Sequence, residues 1–130
     1  MRKLCADFHT HTTYCDGKST PRQMVEAAYS MGRTDFGISG HADYSMWEPG
    51  FGMSDAILSA YKQELEILRE EYAGKMNIYI GIELDTLGPV QQAEYAIGST
   101  HSILKDGHLV TVDDTEEKLV QAVETLWNGD

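Results

Sequence analysis

The stretch Ile78-Tyr79-Ile80-Gly81-Ile82-Glu83 is an apolar run of strand-forming length that ends in a carboxylate. Three more apolar runs lie along the chain, at Lys3 to Phe8, Phe36 to Gly40 and Tyr95 to Gly98. Short continuous apolar runs between polar or glycine-rich segments are typical of strands buried in a parallel sheet. Each of the four runs leads, within a few residues, to a histidine or a glutamate.

Helical patterns alternate with these strands. Thr20 is the predicted N-cap of the first helix, with Pro21 at its first position and Gln23 completing a capping box, and Ser54 and Thr115 cap two later helices. The apolar positions that we expect these helices to bury are Met24, Val25, Ala28, Met31, Ile57, Leu58, Tyr61, Leu65, Leu68, Tyr72, Leu119, Val123 and Leu126. The alternation of strand and helix predicts an α/β fold of parallel βα units.

The candidate functional residues lie at the carboxyl ends of the predicted strands, where parallel α/β folds carry their sites. His9 and His11 are spaced so that both imidazoles point to the same side of an extended chain. His41 and His101 follow the second and fourth strands. A buried Glu83 requires a partner, and no basic residue is near it in sequence. Because histidine and carboxylate bind zinc, manganese and iron, the pattern predicts a metal site.

Asp16, in the loop after the histidine pair, is either a further ligand or a turn residue before Gly17. Cys5 and Cys15 are the only two cysteines. Their spacing does not match a redox or zinc motif, so we interpret both as reduced thiols, although Cys15 lies beside candidate ligands.

Three further parts of the sequence either need no functional role or have a role that the sequence does not decide. His108 follows a predicted hairpin turn at Asp106-Gly107, and we expect it to be exposed and outside the site. Asp113 and Asp114 precede the third helix, where carboxylates are favourable. The segment from Ala42 to Met53 is unusually apolar for a loop, and it is either a flap over the site or an ordinary packed loop.

The bulk composition limits the function classes. The 130 residues suffice for one domain, and the 42% hydrophobic content is ordinary for a globular protein. A formal net charge of −11 argues against a nucleic-acid partner, and no run is long enough for a membrane span. Without a signal peptide, the expected location is the cytoplasm.

The ordered motifs of the chain resemble those of the PHP (polymerase and histidinol phosphatase) superfamily, and within it those of the histidinol-phosphatases of histidine biosynthesis. The motifs that carry the resemblance are Asp7-Phe8-His9-Thr10-His11, Tyr14-Cys15-Asp16-Gly17, Ile38-Ser39-Gly40-His41, Gly81-Ile82-Glu83 and Ile97-Gly98-Ser99-Thr100-His101.

The resemblance implies a distorted (β/α)7 TIM-like barrel with three divalent transition metals, zinc, manganese or iron. The implied ligands are His9 and His11 for the first metal, Glu83 bridging the first and second, His101 for the second, and Asp16 and His41 for the third. The ligand motifs of the family's later strands are missing. Residues 1–130 are therefore expected to be a PHP domain truncated at its C-terminal end, about the first half of a barrel.

The implied function is a metal-dependent phosphomonoesterase that converts L-histidinol phosphate and water to L-histidinol and phosphate. The nucleophile would be hydroxide held by the metals, with no other catalytic side chain predicted. Two alternatives stay open: a PHP phosphoesterase acting on a nucleotide or a DNA 3′ end, and a non-catalytic, truncated metal-binding module. For residues 1–130 alone we expect little activity and self-association through open sheet edges.

Overall fold

A computed structural model describes residues 5–127 of the chain. Four strands form a parallel sheet in chain order: β1 (Ala6–Asp7), β2 (Asp35–Ile38), β3 (Asn77–Asp85) and β4 (Tyr95–Ser99). A separate antiparallel hairpin consists of β5 (Ser102–Lys105) and β6 (His108–Thr111), and the helices are α1 (Pro21–Ser30), α2 (Asp55–Glu71) and α3 (Glu116–Leu126). The predicted α/β class with parallel βα units is confirmed; Lys3 and Leu4 of the first predicted strand lie outside the described residues.

The predicted helix starts are confirmed because they depend on local hydrogen bonds. Both halves of the capping box are present at Thr20: its side chain accepts from the backbone N–H of Gln23, and the Gln23 side chain accepts from the backbone N–H of Thr20. The side chains of Ser54 and Thr115 accept from the backbone N–H of Ile57 in α2 and of Lys118 in α3. Each cap satisfies a backbone donor that the first helical turn leaves without an intrahelical partner.

The core lies between the sheet and the inner faces of α1 and α2. Tyr61 is fully buried, and its hydroxyl donates to the carbonyl oxygens of Ile38 at 2.6 Å and Gly81 at 2.9 Å, which ties α2 to β2 and β3. The other buried members of this core are Val25, Ala28, Phe36, Ala42, Met53, Leu58, Leu65, Leu68, Met76, Ile78, Ile80 and Ile82.

Two positions predicted to be buried are exposed. Met31 is 69% exposed because it is the C-cap of α1 and lies past the last helical turn. Ile57 is 40% exposed because it lies beside the stripe that starts at Leu58 and continues at Tyr61, rather than within it. In α3 none of the described side chains is buried, so its predicted stripe is only partly covered.

Strand β3 extends further than the sequence pattern predicts. Glu83 does not end the strand, because it pairs with Ile97 of β4 and bridges His41 on the other side, and the strand continues to Asp85. The side chain of Glu83 is consequently held by a rigid, doubly paired backbone. Within residues 5–127, no helix is both long enough and apolar enough to cross a membrane.

Candidate metal centre

The structure brings all six predicted ligand side chains together at the carboxyl end of the sheet. Their potential ligand atoms form three groups, each with all its atoms within 4.8 Å of one another: His9, His11 and Glu83; His11, Asp16 and His41; and His41, Glu83 and His101. The convergence follows from the parallel order of the strands, because neighbouring parallel strands end at the same edge of a sheet. The arrangement offers three adjoining positions for cations.

Glu83 is the centre of the cluster. Its side chain is 3% exposed, and four imidazole nitrogens surround the carboxylate: His9 Nε2 at 3.3 Å and His101 Nε2 at 3.4 Å from Oε1, and His11 Nε2 at 3.2 Å and His41 Nδ1 at 3.1 Å from Oε2. The buried Oε2 accepts no hydrogen bond. A buried carboxylate oxygen facing ring nitrogens without hydrogen bonding is unfavourable by itself, and a divalent cation between these atoms would satisfy it. The donor set therefore fits a metal centre.

Asp16 lies within the cluster, although the sequence left it open between a ligand and a turn residue. Its Oδ1 is 3.1 Å from His11 Nδ1, and its Oδ2 is 3.4 Å from His41 Nε2. The adjacent Gly17 makes this position possible, since a Cβ there would lie 2.4 Å from the backbone nitrogen of Thr12. The tight return of the loop onto Thr12 holds Asp16 against the two imidazoles.

The electrostatics of the cluster favour the metal-binding protonation state at Glu83 and His41 but not at His11, whose pKa is raised by a hydrogen bond with Cys15. Burial raises the pKa of Glu83, but the charge of His41 and a hydrogen bond from His9 outweigh burial, and the pKa lies below its ordinary value. Burial, followed by the charge of His11, lowers the pKa of His41. Ionised carboxylates and neutral imidazoles are the forms that coordinate cations.

Cys15 and His108 lie where the sequence predicted. The Sγ of Cys15 is 3.5 Å from His11 Nδ1, but Cys15 belongs to none of the three ligand groups found among the described residues, and both it and Cys5 are free thiols. His108 is exposed and pairs with Lys105 across the predicted hairpin. Neither residue belongs to a ligand group, although Cys15 contacts His11.

Two carboxylates near the cluster were missed from the sequence. Asp85 Oδ2 is 2.9 Å from His101 Nδ1, and Asp113 Oδ2 is 3.9 Å from His101 Nε2. Asp85 could have been found from the strand alternation, because residues two apart share a face and Glu83 is two residues earlier. Asp113 was explained only by the helix that follows, yet it also lines the cavity over the cluster.

A cavity of about 680 Å³ lies over the cluster, and the apolar loop at residues 42–53 forms one of its walls. Trp47 Nε1 donates to the carbonyl oxygen of Leu87 at 2.9 Å, and the ring of Phe51 is 4.7 Å from that of His41. The backbone closes the loop where Ala42 bridges Met53, a contact that needs Gly52, whose Cβ would meet the Ala42 oxygen at 1.9 Å. The loop therefore contributes directly to the site.

Fold and site together define a class: α/β proteins of the barrel type that carry a histidine–carboxylate cluster at the carboxyl ends of their strands. The family model of the PHP domain matches residues 7–126. The chain belongs to the PHP domain family.

Known proteins that resemble the chain agree with this assignment. A Deinococcus radiodurans protein assigned as a histidinol-phosphatase is 29% identical over 114 residues, which cover 78% of this chain and 43% of that protein. The histidinol-phosphatase of Lactococcus lactis is 33% identical over 84 residues, which cover 65% of this chain and 30% of that protein.

Two solved structures share the fold. A Listeria monocytogenes protein assigned as the histidinol phosphatase HisK superposes with a TM-score of 0.73 at 23% identity, covering 89% of this chain and 53% of that one. The histidinol phosphate phosphatase of Lactococcus lactis, complexed with zinc, L-histidinol and phosphate, gives a TM-score of 0.65 at 23% identity, covering 94% and 51%. The chain thus spans about half the length of these proteins or less, and its sheet corresponds to part of a barrel.

Proposed function

We propose that the chain is the metal-binding part of a phosphomonoesterase of the histidinol-phosphatase type, which hydrolyses L-histidinol phosphate to L-histidinol and phosphate. The observation that carries the proposal is Glu83, a buried carboxylate with an oxygen that accepts no hydrogen bond among four imidazoles. Membership of the PHP family, and relatives that are histidinol-phosphatases, support the reaction class.

The three ligand groups support a trinuclear assignment with zinc, manganese or iron. A neutral imidazole offers one lone pair, so His11 and His41, which each occur in two groups, can each bind only one ion. We assign His9 and His11 to the first metal and His41 with Asp16 to the third, with Glu83 bridging the first and second and His101 on the second. This assignment gives every group an ionised carboxylate.

The residues of the chain would prepare the site in three ways. When bound, the metals supply Lewis-acid chemistry: they neutralise phosphate charge and lower the pKa of a water that attacks phosphorus. Glu83 contributes fixed negative charge from a rigid strand, so the cluster needs no rearrangement to hold cations. The ring of Phe51 packs against that of His41, with the two centroids 4.7 Å apart. The cavity walls would then hold the alcohol part of the substrate beside the cluster.

The cavity lining favours a cationic alcohol over a nucleotide. Of the residues the structure describes, neither lysine nor arginine lines the cavity, whereas Trp47 and Phe51 offer aromatic faces and Glu48 and Asp113 offer carboxylates. Such a wall attracts an ammonium or imidazolium group through cation–π and charge interactions, and it repels additional phosphates. Histidinol carries these cationic groups, while a DNA end or a nucleotide adds anionic or uncharged surface.

The test is phosphate release by the chain, and by a form extended past Asp130 if the gene continues, measured beside metal content. Gently purified protein should contain transition metal, lose activity to a chelator and regain it with zinc or manganese. L-Histidinol phosphate should be hydrolysed faster than a nucleoside monophosphate or p-nitrophenyl phosphate. Metal-free protein after gentle purification would contradict the metal centre, and faster hydrolysis of the nucleotide would contradict the substrate.

A further inference from the structure

Asp85 makes contacts of a different kind from those of the cluster ligands. Its side chain is 8% exposed. Oδ1 accepts from the backbone N–H of Leu87 at 2.8 Å, and Oδ2 accepts from the backbone N–H of His101 at 2.9 Å. Oδ2 is also 2.9 Å from the ring Nδ1 of His101. All three of these partners are nitrogens, and Asp85 belongs to none of the three ligand groups found among the described residues. Its oxygens are engaged by hydrogen-bond donors.

These contacts determine what the imidazole of His101 can do. A carboxylate oxygen only accepts, so the hydrogen bond requires the proton on Nδ1. The lone pair of the neutral ring is then on Nε2, which lies 3.4 Å from Glu83 Oε1 and 3.2 Å from Ser99 Oγ. The second bond, from the backbone of residue 101, fixes the main chain to the same carboxylate. Ring orientation and backbone position therefore depend on one side chain.

We propose that Asp85 is a positioning residue for the metal centre: it holds His101 as the Nδ1–H tautomer and directs Nε2 to the second cation position, beside Glu83. Carboxylates that accept from the second nitrogen of a metal-bound histidine fix its tautomer and orientation in this way. The inference rests on the metal binding of the proposed function and is independent of the substrate.

A purely structural role is the competing explanation, because Asp85 also links β3 to the segment after β4. Asp43 provides a matched control. Its Oδ1 accepts from the backbone N–H of Ser45 at 2.9 Å, two residues later, as Asp85 accepts from Leu87, but no imidazole is among its hydrogen-bond partners in the described part of the chain. Asp43→Ala removes a comparable turn contact and leaves His101 unchanged.

The first measurement is the tautomer of His101 in ¹⁵N-labelled protein kept free of metal by a chelator. Long-range ¹H–¹⁵N spectra at about pH 8.5, above the ordinary histidine pKa of about 6.5, should show the proton on Nδ1 in the wild type and in Asp43→Ala. In Asp85→Ala the proton should be found mainly on Nε2. A wild-type His101 protonated on Nε2 would overturn the inference. Because this measurement uses the wild-type protein, it tests the proposal even if Asp85→Ala does not fold.

The second measurement is zinc affinity, by competition with a chromophoric chelator. Asp85→Ala should lower the binding affinity for one equivalent of zinc by about 10- to 100-fold, while Asp43→Ala should bind zinc with the affinity of the wild type. Equal affinities in the two variants would overturn the positioning role. A wild-type chain that binds no zinc would instead contradict the proposed function, whereas the tautomer of His101, read without metal, tests the Asp85 contact separately.

Discussion

Replacing Glu83 with glutamine is the most direct test of the metal centre. The substitution keeps the size of the side chain but removes its charge at a position that is 3% exposed and has four ring nitrogens between 3.1 and 3.4 Å away. Glu83 belongs to two of the three ligand groups, while the group of His11, Asp16 and His41 does not contain it. Glu83→Gln should therefore remove two metal positions and leave one.

The expected loss of metal affinity follows from the ligands that remain after the substitution. Under the assignment above, the first position would keep His9 and His11, the second would keep only His101, and neither would have a carboxylate. Loss of an outer partner alone costs about 10- to 100-fold in metal affinity, so loss of a bridging ligand should cost about 100-fold or more at both positions. A 100-fold loss corresponds to about 2.8 kcal/mol. Under the proposed function, the phosphatase activity of the extended form should fall by at least this factor.

The assay combines elemental analysis with zinc competition, and circular dichroism verifies that the variant is folded. His108→Ala is the control, because this histidine is exposed on the hairpin and should change neither metal content nor activity. If Glu83→Gln retains all its metal, or if His108→Ala is as damaging, the assignment of Glu83 as the central ligand is wrong.

Three further predictions concern the fold. Tyr61→Phe leaves two buried carbonyl oxygens without their donor and should lower the free energy of unfolding in urea by about 1–3 kcal/mol, whereas Tyr29→Phe, at a 46% exposed position, should change it by less than about 0.5 kcal/mol. Burial raises the pKa of Tyr14 and of Tyr95 from 10.0 to about 12. Because the unfolded chain loses these protons at a lower pH than the folded chain, the free energy of unfolding should fall as pH rises from about 10 to 12. A free energy of unfolding that stays constant over this range would contradict the prediction. Strands β1 and β4 each pair with a single strand in the described sheet, so sedimentation should show that residues 1–130 self-associate; a monodisperse, fully active monomer would refute the half-barrel interpretation.

Local signals explain why much of the fold could be predicted. The capping box at Thr20 and the cap at Ser54 involve residues within one helical turn, so their sequence pattern is sufficient. Errors occurred where burial depends on distant neighbours. Ile57 and Leu58 are equally apolar in sequence, and only the position of α2 against the sheet decides that Leu58 is buried.

In the candidate site, too, some features follow from the local sequence and others depend on residues that are distant in the chain. The six ligand-type residues could be grouped from the sequence because parallel strands end at one edge, and their roles as ligands stay predictions. The hydrogen bonds from His101 to Asp85, and from Trp47 to Leu87, join residues 16 and 40 positions apart. No local pattern encodes such pairs, so the contact between Asp85 and His101 and the position of Trp47 in the cavity wall emerged only from the structure.

The loop at residues 42–53 is closed at its base, so its sequence can change during evolution independently of the candidate metal ligands. The bridge between Ala42 and Met53 fixes both loop ends, so we expect substitutions between them that keep Phe51 and Gly52 to leave His41 in place. Under the proposed function, changes in this loop should alter which alcohol group is accepted while the metal ligands stay the same. Exchanging residues 43–50 with those of a relative should, under the proposed function, change the leaving-group preference and keep the metal affinity.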